Sequence, residues 1–157
     1  MLLGLVMPNQ LDRLLHPHDQ RMILAAVVAA ERRTSAQFKV HVEASCRQPH
    51  ARARELLGRL KVTRTDRANG VLLFLTVHDR RCVLVADDGL RALQASPRWQ
   101  EIVHRLTLDL RHGRVGNGVA DALTSLSKII APHFPRGAVH VNEVRDDITT
   151  EEVALSA

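Results

Sequence analysis

Apolar positions along the chain recur with two periods, and the alternation between them lays out the elements. Pro17 suits a first helical turn, and Ile23, Val27 and Ala30 follow at helical spacing, so a helix is expected over about 17–32, ended by Thr34-Ser35. Phe38, Val40 and Val42 then alternate with Lys39, His41 and Glu43, the period-2 signature of a strand with one wet face that ends near Cys46. Pro49 opens a second helix, with Ala53, Leu56, Leu57 and Leu60 as its buried stripe and Arg52, Arg54 and Arg59 facing water.

After Asn69-Gly70, the uninterrupted run Val71-Leu72-Leu73-Phe74-Leu75 predicts a central strand covered on both faces. His78-Asp79-Arg80-Arg81 separates it from Cys82-Val83-Leu84-Val85-Ala86, so a hairpin is the economical connection. Strand, helix, strand implies a parallel crossover, and with the hairpin this gives a small mixed sheet. Past Asp87-Asp88-Gly89 the spacing is helical again. Trp99, Ile102, Val103, Leu106 and Leu110 share one face behind Pro97, and Gly113 closes that helix. A last helix carries Val119, Leu123, Leu126 and Ile130 until Pro132-His133-Phe134-Pro135 stops it.

The reading is therefore one α/β domain over 17–135, a sandwich with a small mixed sheet and helices on both faces. Residues 1–16 form a loose N-terminal segment and 136–157 a polar tail made acidic by Glu143, Asp146, Asp147, Glu151 and Glu152. A length of 157 residues suits a single core, and 45% apolar with 25% charged residues is ordinary for a globular chain. No internal repeat is visible.

Charge changes this picture little. The net +5 comes from Arg residues scattered over every element, with only Lys39, Lys61 and Lys128 as lysines. One Trp, three Phe and no Tyr leave almost no stacking platform, so nucleic-acid binding through the Arg-rich second helix ranks last. Met1 to Met7 lacks a positive n-region and a cleavage site, and no apolar run nears the ~20 residues that span a bilayer. A soluble, cytoplasmic protein is the expectation by elimination.

Cys46 and Cys82 are too few for a disulfide scaffold. If the first and third strands flank the second, two strand spacings hold them roughly 9 to 10 Å apart, beyond disulfide reach. Cys46 to Arg52 has the Cys-x5-Arg spacing of cysteine phosphatases at a strand-to-helix turn. Pro49 removes a donor there and no Gly lets successive amides wrap a phosphate, so an inert strand-end thiol is the better reading. His16 and His18 lack a third ligand at helical spacing, which argues against zinc.

Three segments, taken in order, resemble the TPM domain. Glu31 to Val40 is similar to that family's helix-to-strand entry. Arg64 to Leu75, followed by Asp79-Arg80, resembles its Asn-Gly-Val-Leu-Leu strand and trailing Asp-Arg turn, and Val85 to Leu90 its turn after the return strand. His133-Phe134-Pro135 and Asn142-Glu143 match the soluble branch, so the resemblance spans about residues 17–147. It implies an α/β sandwich, and association with calcium or other divalent cations, acid phosphatase activity, or assembly of membrane complexes.

On that reading the ligand candidates are Asp66, Asp87 and Asp88 in Gly-adjacent loops, with Glu31 near the same motif, because calcium takes several oxygen ligands. The competing reading of Asp87-Asp88-Gly89 is a plain turn with a helix cap. Ala36-Gln37 stands where the family has Gly-Glu, which removes a charge. Arg64, Arg67 and Arg80 are candidate anion holders that flank the acids. The expectation is an accessory domain whose acidic sheet edge takes a divalent cation or a protein partner, with a metal-assisted phosphatase as the alternative.

Overall fold

The computed structural model describes residues 10–60, 69–137 and 148–150. Ten elements carry the architecture: α1 (Gln10–Leu14), α2 (Pro17–Arg33), β1 (Gln37–Glu43), α3 (Pro49–Leu60), β2 (Gly70–Thr76), β3 (Arg81–Ala86), α4 (Arg91–Gln94), α5 (Pro97–Arg111), α6 (Val115–Ile130) and β4 (Ile148–Thr150). The sheet runs β3-β2-β1-β4. β1 is parallel to β2 and to β4, and β2 is antiparallel to β3, so the sheet is mixed, as the pattern of strand, helix, strand and hairpin implies.

Helices cover both faces. Phe38, Val40, Val42, Val71, Leu73 and Leu75 point to the larger core, where they meet Ile23 and Val27 of α2, Trp99 and Leu106 of α5, and Leu123 and Leu126 of α6. On the other face Ala53 and Leu56 of α3 pack on Leu72, Phe74, Val83 and Val85. Each such side chain, fully buried, is worth about 1.5–3 kcal/mol of transfer free energy.

Local chemistry sets the helix ends. Ser96 caps α5, its hydroxyl accepting the Trp99 N–H at 3.4 Å, with Pro97 in the first turn. Gly113, at φ 72°, ends α5: its N–H goes to the Leu110 carbonyl and the Arg114 N–H reaches back to Asp109. Two further glycines set helix spacing. A Cβ on Gly116 would lie 2.5 Å from Asp19 Oδ1 of α2, and one on Gly118 would lie 2.6 Å from Asp109 Cβ of α5. The segment after α2 is tied to the segment after α6, for Phe134 O accepts both the Ser35 N–H, at 2.9 Å, and the Thr34 hydroxyl.

Three expectations are corrected. The N-terminal segment contains α1, and Leu11 and Leu15 enter the larger core. The C-terminal segment contributes β4, which pairs Ile148, Thr149 and Thr150 with Val40, His41 and Val42. β1 has no wet face, because all seven of its residues are buried, Lys39, His41 and Glu43 included. Glu143, Asp146 and Asp147 of the tail, and Glu151 and Glu152, lie outside the described residues, as does the Leu60 side chain.

Candidate functional site

The site candidates divide between the two ends of the sheet. At the end where β1 and β2 begin, the strand register places Gln37 beside Gly70, and Asp87 follows β3 on Gly70's other side. Asp87 N–H donates to Gly70 O at 2.9 Å, while Asp87 Oδ2 accepts the Gly70 N–H at 2.8 Å. The carboxylate occupies the space a side chain at Gly70 would need, since a Cβ there would come within 2.8 Å of Oδ2. Asn-Gly before the strand is thus a requirement for a buried acid, and not only a turn signal.

Asp87 is 1% exposed and Gln37 7%, and Gln37 Oε1 is a buried oxygen with no hydrogen-bond partner among the described residues. Buried oxygens normally have partners, so this one is an exception to that rule. Asn69, 1% exposed, donates from Nδ2 to Ser35 Oγ at 3.4 Å, which steadies the entry to β2.

The other predicted ligands are differently placed. Glu31 is buried at the end of α2 and Oε2 accepts the Phe38 N–H at 3.4 Å, the first step of β1. Asp88 begins a 3-10 turn, Asp88–Leu90, is exposed, and is paired with Arg91 at 3.0 Å. The turn reading therefore describes Asp88, whereas Asp87 is buried structure. Among the described residues no three acidic, His or Cys side chains gather into a metal-holding group. Asp66, Arg64 and Arg67 lie outside the described residues.

Arg80 does not flank these acids. It lies in the turn between β2 and β3, six residue steps along β2 from Gly70, or about 20 Å at 3.3 Å per residue. There it takes φ 55°, and a guanidinium nitrogen donates to the Arg111 carbonyl at 3.0 Å, on the last residue of α5. That carbonyl belongs to the negative end of the helix dipole, a favourable seat for a cation.

The same far end holds the Cys-x5-Arg segment. Cys46 N–H donates to Asp79 Oδ2 at 3.0 Å, so a carboxylate already sits where a phosphate would approach. Arg52 is turned to Glu43, donating from Nε and a terminal nitrogen to Oε2 at 3.1 and 3.0 Å. Neither arrangement leaves an anion cradle. Cys46 packs on the smaller core and Cys82 on the larger, so the thiols lie on opposite faces of the sheet, and both are free. Burial pushes the Cys82 thiol above its ordinary value, and its hydrogen bond with Thr107 Oγ1, at 3.3 Å, offsets this only in part.

One constellation has no counterpart in the sequence reading. His41 Nε2 is 2.8 Å from Glu43 Oε2, its Nδ1 is 2.7 Å from Thr149 Oγ1, and its ring stacks on Phe74 with centroids 5.7 Å apart. His-x-Glu on a strand is the only sequence signal for it, and its partners Arg52 and Thr149 are 9 residues from Glu43 and 108 from His41.

The chain matches no curated protein. It is similar in structure to the BA42 protein of the psychrophilic bacterium Bizionia argentinensis, with TM-score 0.78 and 25% identity over 87% of this chain and 95% of that one. It is also similar to the N-terminal domain of a P. gingivalis protein, with TM-score 0.60 and 17% identity over 81% of this chain and 83% of that one. No helix among the described residues is long and apolar enough to cross a membrane. The TPM domain family model matches residues 9–129, most of the chain, and with the mixed sheet between two helical layers this makes the protein a member of the TPM domain family.

Proposed function

We propose that this TPM domain is an accessory module that binds a divalent cation, calcium foremost, at the end of the sheet where β1 and β2 begin. The observation that carries the reading is the row Gln37, Gly70, Asp87: two buried oxygen-bearing side chains flank a residue with no side chain, and Gln37 Oε1 has no hydrogen-bond partner among the described residues. Calcium is held by carboxylate and amide carbonyl oxygens, the donor set of this row. Glutamine in place of a family glutamate lowers the charge but keeps an oxygen donor. Asp66 belongs to the proposed ligand set because its segment leads directly into Asn69-Gly70. Glu31 and Asp88 have a supporting part, since each is already engaged by Phe38 N–H or Arg91.

A cation there would neutralise Asp87 and tie the starts of β1 and β2 to the end of β3. Whether the occupied end then recruits a protein partner follows from the same reading. A metal-assisted phosphatase would need an anion holder beside the cation, and Arg80 sits at the opposite end, bonded to Arg111 O. Arg64 and Arg67 remain as proposed holders for that alternative. A nucleic-acid surface on α3 is disfavoured because Arg52 is withdrawn onto buried Glu43.

The test is a thermal melt of metal-stripped protein with millimolar calcium, magnesium or manganese. A native-state ligand at 100 times its Kd adds about 2.7 kcal/mol, which raises Tm by several degrees. Asp87→Asn retains an oxygen for the Gly70 N–H and should abolish the rise while leaving the protein folded. A melt indifferent to all three cations would end the proposal.

A further inference from the structure

Among the described residues β4 pairs with Val40, His41 and Val42 of β1, and its attachment runs through side chains as well as the ladder. Thr150 Oγ1 donates to Val42 O at 2.6 Å, and Thr149 Oγ1 meets His41 Nδ1 at 2.7 Å. In the second contact the donor and acceptor roles depend on the tautomer of His41. Glu43 Oε2 already accepts two hydrogen bonds from Arg52, so at 2.8 Å from His41 Nε2 it accepts a third. Nε2 therefore carries a proton, the single ring proton while the imidazole is neutral. Nδ1 is then bare, and the Thr149 hydroxyl donates to it.

We propose that His41 is a proton-operated latch for β4: the neutral ring holds the strand through Thr149, and protonation at Nδ1 releases it. Protonation turns Nδ1 into a donor, so the Thr149 hydroxyl must rotate and its own hydrogen loses the acceptor it had. The new charge appears on a ring that is 1% exposed. Among the described residues, the charged groups facing it are Lys39 and Glu43 from β1 and Arg52 from α3, with Glu55 behind Arg52 at 3.5 Å. β2 supplies only the Phe74 ring and β4 only Thr149.

The Glu43 carboxylate in contact with His41 is shared with Arg52, so a second cation competes for one acceptor. Opening the β4 side is the route by which water reaches the charged ring, because Phe74 and α3 close the opposite side. The sign follows from linkage: the released form binds the extra proton more readily, so falling pH favours release. Release should set in as the pH is lowered and grow by up to about tenfold per pH unit below the transition.

Amide hydrogen exchange on the full chain from pH 8 to 5, corrected for the intrinsic rate, reads this directly. The amides of Ile148–Thr150 and the β1 edge facing them should lose protection in acid, while the β2–β3 ladder, Leu72 to Leu75 against Cys82 to Val85, keeps it. His41→Gln, which cannot titrate, should hold β4 with no pH dependence. Thr149→Val should loosen β4 already at pH 8 and flatten the pH response, and it decides the matter if His41→Gln fails to fold. Protection of β4 that persists to pH 5 in the unsubstituted protein would overturn the latch, as would an unchanged pH response in either folded variant.

Discussion

Asp87 fills the place where Gly70 has no side chain: its Oδ2 accepts the Gly70 N–H at 2.8 Å and lies 2.8 Å from where a Cβ on Gly70 would stand. The pair joins the start of β2 to the end of β3, and the acid is buried because the glycine lets it in. Gly70→Ala forces the carboxylate out of this seat, and overpacking of that kind costs about 1–3 kcal/mol. Urea denaturation should show that loss. An unchanged midpoint would mean that the Asp87 side chain yields freely and that the lock is not tight.

Glycines elsewhere in the chain should respond with opposite signs. Gly116→Ala brings a Cβ to 2.5 Å from Asp19 Oδ1 and 3.0 Å from the Asp19 backbone, so α2 and α6 must separate. A destabilisation of about 1–3 kcal/mol is expected. Gly58 lies in α3 with nothing within 4 Å of its Cβ position, and Gly58→Ala should stabilise by about 0.4–1 kcal/mol by restricting the unfolded chain. Denaturation midpoints of the two variants should move in opposite directions about the parent's.

The cysteines are predicted to differ in reactivity. Burial raises the Cys82 thiol pKa, so at pH 7.5 it stays protonated in the folded protein, and raising the pH is needed to make it a nucleophile. Alkylation followed by mass spectrometry should show Cys82 reacting far more slowly in the folded than in the unfolded chain, and more slowly than half-buried Cys46. Oxidation should give no intramolecular disulfide, because the two thiols lie on opposite faces of the sheet. Equal alkylation rates for Cys82 in both states would contradict its placement against Thr107.

The strands and long helices were legible because their apolar spacing reports burial directly: Val71 to Leu75 is a covered strand in sequence and in structure. The outer face of β1 was not, since Lys39, His41 and Glu43 alternate with apolar residues as a wetted face does. What buries them comes from Arg52 and Thr149, at separations that no local pattern encodes. The described residues of β4, Ile148–Thr150, lie in a polar stretch and are too few for a period to show. In the candidate site, Asp87 and the Asn-Gly pair were visible as residues, but the turn chemistry that favours Asp and Gly masked a buried lock. Arg80 was misplaced because the return strand carries Asp87 back to the far end of β2, a full strand length from the hairpin turn.

The central claim, a cation seat at Gln37 and Asp87, is tested most directly by an amide chemical-shift titration of metal-stripped protein with calcium up to several millimolar. Saturable shifts should concentrate on Gln37, Asn69, Gly70, Asp87 and Asp88, leave Asp79 and Arg80 at the other end of the sheet unmoved, and vanish in Asp87→Asn. A spectrum that calcium leaves unchanged, or shifts confined to the hairpin end, would contradict the account.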